Sequence, residues 1–312
     1  MSHGVVPQIT GSGIAGMGRQ FTAELWDGFD PQAFLRDPSK GHFFQDDFLS
    51  PPVFATASAA GSNYNRYNGY TATTGNTIGF SGLQGGGVRL AGTTVDEMAS
   101  LQFGIHSCRP FQFVGAPEDD TFTMYGADGT AKGYTHSARV RFESRFAVNT
   151  VVAAEQGIFI GMAGILAAAD MDTGTTGDVV TTKPFVGFHT LGPTANATLR
   201  FIIQNATAAP TVIVASVGTL VANTWYTCGF DWNPAAPASQ RMSIWFNGTK
   251  SGTYLTVADT AANFPLSGDT TQVPLSPTWM RTSHGGGDYA MVVGGFRICQ
   301  ELMVAQGNEA CA

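Results

Sequence analysis

Apolar and polar positions alternate most clearly in the C-terminal third of the chain. The run Trp225–Trp232 has a period of two, which is typical of a β-strand with one face in a core. A proline-containing turn follows it, and a second alternating run covers Arg241–Phe246. Asn247-Gly248 suits a tight hairpin turn, so Lys250–Val257 is predicted as the return strand. The core-facing residues of the first two strands are predicted to be Tyr226, Cys228, Phe230, Trp232, Met242, Ile244 and Phe246.

The longest alternating stretch is Thr135–Phe146, which predicts a strand with a strongly polar outer face exposed to solvent. Its core side carries Ala138, Val140, Phe142 and Phe146, and its outer side carries Arg139, Arg141, Glu143 and Arg145. Arginines grouped on one sheet face are suited to carboxylates, phosphates or acidic sugars. The alternative is a solvated face on which Glu143 shares a charge network. We take Arg139, Arg141 and Arg145 as the leading candidate ligand surface.

Further short runs between turn residues predict strands along most of the chain. They are His42–Leu49, Thr77–Leu83, Gly87–Leu90, Met98–Phe103, Phe111–Val114, Thr121–Tyr125, Gln156–Gly164, Pro184–Leu191, Ala197–Gln204, Thr211–Val217 and Tyr289–Cys299. The stretch Pro51–Gly75 is rich in small polar residues and predicts a long surface loop. Its tyrosines, Tyr64, Tyr67 and Tyr70, indicate a glycan or protein contact, with a packed loop as the alternative.

Two stretches resemble known families. A Trp-Tyr strand with Asp231 near its end, a turn, a strand closing on aromatic-Asn-Gly and the late strand Tyr289–Cys299 resemble the laminin-G-like branch of the concanavalin A-like lectin and glucanase superfamily. That resemblance implies an all-β, antiparallel two-sheet β-sandwich of the jelly-roll type, a fold that hosts lectins, hydrolases, lyases and structural modules. The sequence of His42–Leu49, HFFQDDFL, resembles the opening strand of bacteriophage structural proteins with lectin-like sandwiches.

The N-terminal part lacks the alternation of a sandwich. Residues 1–42 begin with scattered glycines, and Asp30–Arg36 is predicted to form one or two helical turns. We expect an extended N-terminal arm over 1–42 and a single jelly-roll domain over 43–312. Burying large apolar side chains is favourable, so we expect the arm to dock on a neighbouring subunit rather than to form a disordered tail. The candidate assembly contacts are Phe21, Leu25, Trp26, Phe29 and Phe34.

Composition limits the class of partner. Charged residues make up 12% of the 312 residues, against about 25% in ordinary globular domains. The net charge of −7 argues against nucleic acid as a partner. No apolar run is long enough to span a membrane, and the first residues show no secretion signal, so we expect neither a membrane partner nor export. Cys228 and Cys299 lie in apolar strands and are predicted to be free buried thiols.

The sequence also lacks a recognisable catalytic set. It has no Glu-x-Asp-x-x-Glu strand of the kind that retaining glucanases of this superfamily carry, and no Gly-x-Ser-x-Gly elbow. Asp170, Asp172 and Asp178 imitate a calcium loop but lack the closing glutamate. We therefore expect a protein without enzymatic activity, metal or cofactor.

Together these patterns predict a structural virion protein of a bacteriophage, in particular a capsid decoration or cement protein. It would assemble in the host cytoplasm, form homo-oligomers, and bind the major capsid protein or another virion protein. The alternative is a carbohydrate-binding host-adhesion or tail-associated module that uses the tyrosine-rich loop and the arginines of Thr135–Phe146. A polysaccharide-lyase-like enzyme is the third hypothesis.

Overall fold

The architecture is taken from a computed structural model. It describes residues 21–37, 40–48, 54–56, 67–71, 76–81, 87–92, 97–103, 122–125, 131–134, 136–151, 156–164, 184–191, 195–205, 210–234, 236–252, 255–256, 264–265, 275–283 and 287–304. The predicted strand Phe111–Val114 lies outside these residues.

A single short α-helix, α1 (Pro31–Arg36), precedes a series of β-strands in the described part of the chain. The strands are β1 (Gly41–Asp46), β2 (Phe54–Thr56), β3 (Tyr67–Thr71), β4 (Asn76–Phe80), β5 (Val88–Gly92), β6 (Glu97–Phe103), β7 (Phe122–Tyr125), β8 (Ala131–Tyr134), β9 (His136–Val148), β10 (Gln156–Ala163), β11 (Phe185–Leu191), β12 (Ala195–Gln204), β13 (Thr211–Thr219), β14 (Trp225–Trp232), β15 (Met242–Phe246), β16 (Thr249–Lys250), β17 (Ser276–Ser283) and β18 (Tyr289–Val304).

Two eight-stranded sheets form the body of the fold. Sheet A runs β16-β15-β14-β9-β18-β5-β4, with β1 also paired to β18, and sheet B runs β13-β12-β11-β10-β17-β6-β3-β2. The strand β5 pairs with Tyr289–Val293 of β18, and β1 pairs with Phe296–Glu301 of the same strand. Both therefore lie on the side of β18 opposite β9. Pairing is antiparallel throughout these two sheets except between β2 and β3. The predicted all-β, antiparallel two-sheet sandwich is confirmed.

The core lies between the inner faces of the two sheets. Phe230 of sheet A packs against Phe142 on the neighbouring strand, at 5.3 Å between ring centroids, and against Phe201 of sheet B at 5.8 Å. The faces predicted for the first two strands are confirmed, because Tyr226, Cys228, Phe230, Trp232, Met242 and Ile244 are all buried in one apolar cluster. Phe246 packs on the margin of that cluster and is only partly buried.

Two predicted elements are wrong, and one strand was not predicted. The return strand expected over Lys250–Val257 is the short β16, and the loop expected over Pro51–Gly75 contributes β2 and β3 to sheet B. The strand β17 was not predicted, because its sequence SPTWMRTS starts beside a proline and mixes polar residues with apolar ones. It is nevertheless buried along its whole length between β10 and β6.

The Asp-Asp-Phe turn that ends HFFQDDFL serves the core. One carboxylate oxygen of Asp46 accepts from the Phe48 amide at 2.8 Å, and the other accepts from the Tyr67 hydroxyl at 2.6 Å. Asp residues favour such local turns. Phe48 has a φ of 49° and is fully buried beside Tyr67 and Trp279. The turn thus places an aromatic ring in the core.

Candidate functional site

The candidate ligand surface lies on the outer face of sheet A, across β14, β9 and β18. The antiparallel register puts Arg141 between Asp231 and Cys299 on the neighbouring strands. It puts Glu143 between Gly229 and Arg297 in the next row. We use the name arginine face for the charged side chains grouped here, which are Arg139, Arg141, Glu143, Arg145, Asp231 and Arg297.

The prediction that this face is exposed to solvent is wrong. Glu143 is 0% exposed, Arg141 3% and Arg145 7%, while Arg139 is partly exposed. Glu143 and Arg141 are covered by residues 21–37, hereafter the N-terminal segment, which pack on the outer face of sheet A, whereas Arg145 packs on the Trp225 ring. Because alternation along a strand reports only which side chains share a face, it could not reveal this cover.

The N-terminal segment packs on the same chain through its large apolar residues. Leu25, Trp26 and Phe34 are buried in a cluster with Trp245 of β15 and Cys299 of β18. Phe21 and Phe29 pack against the same cluster and are partly buried. These five candidate assembly contacts therefore pack within their own domain in this structure. Their docking on another subunit, and the division into 1–42 and 43–312, stay predictions.

Local hydrogen bonds explain why the segment is compact. Turn hydrogen bonds join the Trp26 amide to the Ala23 carbonyl at 3.2 Å and the Phe29 amide to the Trp26 carbonyl at 3.1 Å. The helix α1 starts at Pro31, and the Asp30 carboxylate caps it by accepting from the Gln32 amide at 2.9 Å. The helical turns predicted in Asp30–Arg36 are confirmed.

Glu143 joins the N-terminal segment to sheet A. Its Oε1 accepts from the Thr22 amide at 2.7 Å, and its Oε2 accepts from the indole Nε1 of Trp26 at 2.7 Å. Burial raises the pKa of Glu143, while the hydrogen bonds from Thr22 and Trp26 and the charge of Arg297 act in the opposite direction. Both carboxylate oxygens of Glu143 are thus engaged by the segment.

A glycine and the surrounding side chains shape the seat of the segment. A Cβ added at Gly229 would lie 2.7 Å from Leu25 Cδ2, so the absence of a side chain there lets Leu25 approach β14. The Arg297 guanidinium stacks on the Phe21 ring at 3.9 Å. We use the name seat for the sheet residues that contact the segment, which are Glu143, Gly229, Trp245, Arg297 and Cys299.

The remaining arginines differ in how they are compensated. Arg139 forms a two-pronged ion pair with Asp231, with nitrogen–oxygen distances of 2.9 and 2.7 Å. Arg141 lies 3.9 Å from the same carboxylate, and its buried Nε and Nη1 atoms have no hydrogen-bond partner. Burial and, next, the charge of Arg139 lower the pKa of Arg141. Arg145 stacks on the Trp225 ring at 3.9 Å.

Tyr67, one of the three tyrosines in the predicted contact loop, is not on the surface. Tyr67 is 2% exposed, and its ring packs in the core against Phe48, Phe103 and Phe296. Its assignment as a surface contact is wrong, because Asp46 fixes its hydroxyl inside the fold. Tyr70 lies on β3 opposite Ser100, and Tyr64 lies outside the described residues.

The structure describes the predicted cysteine positions but not the predicted calcium-like loop. Cys228 and Cys299 are free and buried, as predicted. Asp170, Asp172 and Asp178 lie outside the described residues. Where the structure describes the chain, no group of three or more His, Cys, Asp or Glu side chains is arranged to hold a metal ion. The described residues also include no helix that is long and apolar enough to cross a membrane.

The outer face of sheet B carries a second buried group that the sequence analysis missed. A small apolar cluster there includes Phe159, Phe185 and Ile202. Beside it, Gln204 is fully buried and neither of its amide atoms has a hydrogen-bond partner. The sequence alone does not indicate that Gln204 is buried, because its burial depends on the strand register that pairs it with Phe185.

The strand order defines the class of the protein as a two-sheet antiparallel β-sandwich with a covered outer face. Solved structures with a similar fold include peanut lectin in complex with a 9mer peptide, which is 13% identical, with 85% of this chain and 99% of that chain covered and a TM-score of 0.47. A Bacteroides ovatus mixed-linkage glucan GH16 protein is 10% identical, with 82% and 99% covered and a TM-score of 0.44.

A third similar structure is a carbohydrate esterase from the Shiga toxin-encoding bacteriophage phi24B. It is 16% identical, with 76% of this chain and 91% of that chain covered and a TM-score of 0.36. No protein-family model and no curated protein matches the sequence. All three TM-scores are below 0.5, so the fold assignment rests on the strand order alone.

Proposed function

We propose that the protein is a non-catalytic structural component of a bacteriophage virion, in particular a capsid decoration protein that binds the major capsid protein or another virion protein. It assembles in the host cytoplasm and acts as a homo-oligomer. The observation that carries the proposal is that the charged groups of the arginine face hold the chain's own N-terminal segment. The face thereby contributes to the architecture of the protein.

The use of the two buried carboxylates supports a role without catalysis. A general acid or base must come within hydrogen-bonding distance of the substrate proton. Both oxygens of Glu143 accept from Thr22 and Trp26, and both oxygens of Asp231 accept from Arg139. In this arrangement neither carboxylate faces a substrate, and each stabilises the packing of its neighbours.

Two further features support the virion context. The stretch HFFQDDFL resembles the opening strand of bacteriophage structural proteins, and its Asp46 and Phe48 build the core. The chain is poor in charge, with 12% charged residues. A low content of charged residues suits a protein whose surface is in contact with other subunits better than one that must remain a soluble monomer.

The glycan-binding alternative loses three of the six residues on which it was based. Tyr67 belongs to the core, Arg141 lies under Phe29 of the N-terminal segment, and Arg145 is buried against the Trp225 ring. We therefore keep glycan binding as an outcome of the test and do not propose it as a second function.

The proposal is tested on particles from the phage that encodes the chain, with and without its coding sequence. Cryo-electron microscopy of purified particles should show density at repeated capsid positions that is lost in the deletion and restored when purified protein is added. The proposal fails if the particles contain none of the protein. It fails equally if the purified protein binds a defined glycan on an array or depolymerises a polysaccharide.

A further inference from the structure

The N-terminal segment is hydrogen-bonded mainly within itself. Its turn and helix hydrogen bonds run between its own residues, for example from the Ala33 amide to the Asp30 carbonyl at 3.0 Å. No strand of either sheet pairs with it in the described part of the chain. The Thr22 amide donates to a side chain, Glu143, rather than to a strand. The segment can therefore leave sheet A without breaking a strand ladder.

Charge complementarity favours the contact between segment and sheet. Within 21–37, four carboxylates oppose the single arginine, Arg36. On the arginine face, four arginines oppose the two carboxylates of Glu143 and Asp231. An acidic, aromatic segment therefore sits on a basic face, and opposite net charges speed the encounter of two such surfaces. The acidic residues of the segment are Glu24, Asp27, Asp30 and Asp37.

The closed arrangement leaves polar groups of the covered face unsatisfied. Arg141 Nε and Nη1 and the Trp245 indole Nε1 are buried without a hydrogen-bond partner. A buried donor without an acceptor costs about 1–3 kcal/mol. Packing of the segment on sheet A is thus opposed by these groups, which reduces the free energy that holds the segment in place.

We propose that the N-terminal segment is exchangeable, and that in the assembled protein the segment of one copy occupies the seat of a second copy. Every contact between segment and seat can form between copies as it does within one, which makes such an exchange inexpensive in free energy. The inference rests on the proposed structural role and deepens it, because it names a second copy of the chain as the partner of the arginine face. It also gives the five apolar residues an intermolecular role.

Complementation between two full-length variants tests the exchange. The first variant, L25A/W26A, has a defective segment and an intact seat. The second, E143A/W245A, has an intact segment and a defective seat. Each variant alone should be monomeric, and an equimolar mixture should form a 1:1 heterodimer in native mass spectrometry. The heterodimer should weaken as ionic strength rises, since the two surfaces carry opposite net charge.

Controls separate exchange from nonspecific association. Mixtures of two tagged copies of the same variant lack one half of the contact and should stay monomeric. F80A removes an exposed aromatic ring away from the seat, so adding it to either variant should leave the heterodimer unchanged. If circular dichroism shows that a double variant is unfolded, the milder pair W26F and E143Q replaces it.

The proposal is overturned if folded variants stay monomeric when mixed at low salt over a wide concentration range. It is also overturned if F80A abolishes the heterodimer as completely as a defective seat does. Because this assay uses purified protein without particles, its failure leaves the virion role standing. Absence of the protein from particles would overturn that role whatever the mixing experiment gives.

Discussion

At the scale of single residues, the charged groups under the N-terminal segment are compensated to different degrees. Glu143 is fully buried, and each of its oxygens accepts one short hydrogen bond. Arg139 donates two hydrogen bonds to Asp231, whereas the buried Nε and Nη1 atoms of Arg141 have no hydrogen-bond partner. Removal of a partner from a buried charge is costly, while removal of an uncompensated charge is not. Substitutions should therefore separate these residues.

The indole of Trp26 can be tested against that of Trp245. W26F keeps an aromatic ring but removes the donor to Glu143 Oε2, so the free energy of unfolding should fall by about 1–3 kcal/mol beyond the loss of packing. W245F removes the same atoms from an indole whose Nε1 has no hydrogen-bond partner, and it is the matched control. Denaturant titration of both variants measures the difference, and equal losses would contradict the assigned hydrogen bond.

The two neighbouring arginines should respond in opposite ways to methionine. R139M leaves the Asp231 carboxylate without its two hydrogen bonds and should destabilise the protein by about 1.5–3 kcal/mol. R141M removes a buried cation without hydrogen bonds at Nε and Nη1, so stability should be unchanged or higher. Thermal melts of both variants at one pH decide the matter. A loss in R141M as large as that in R139M would show that Arg141 is well compensated.

At the scale of secondary-structure elements, the sheet register brings the site together. Glu143 of β9 meets Arg297 of β18 only because these two strands are neighbours in one register. The N-terminal segment then adds Thr22 and Trp26 from more than a hundred positions away along the chain. The site therefore depends on pairings between elements that are distant in sequence.

Elements with strong alternation were predictable, and their neighbours were not. The bounds of Trp225–Trp232 and the core faces of its side chains agree with the period-two pattern. The pattern could not reveal that Gly229 accommodates Leu25, because it carries no information about what covers a polar face. The polar residues of β9 were predicted to be exposed for the same reason. Most of them are buried in the structure.

Alanine substitutions at Phe230 of β14 and Phe246 of β15 should reduce the stability of the protein by different amounts. Phe230 is fully buried between the sheets, so F230A should destabilise the protein by about 3–5 kcal/mol. Phe246 is only partly buried at the margin of the core, so F246A should cost clearly less. Denaturant titrations of the two variants provide the comparison. If F246A costs as much as F230A, the margin of the core is misplaced.

At the scale of the whole molecule, the N-terminal segment acts as an extra layer on the sandwich. Its apolar side chains pack on the seat and cover part of the outer face of sheet A, while the main core lies between sheets A and B. The cover provided by the segment explains why charged side chains such as Glu143 and Arg141 are buried on an outer face. It also makes the segment the element on which both the structural role and the exchange between copies depend.

The central claim is that the N-terminal segment closes the arginine face through Glu143. Hydrogen exchange followed by NMR at the Thr22 amide and the Trp26 indole N–H tests it most directly, because both donate to that carboxylate. The closed arrangement predicts that both protons exchange far more slowly than in an unstructured peptide, and that E143A accelerates both together. Exchange in the wild-type protein at the rate of an unstructured peptide would contradict the claim.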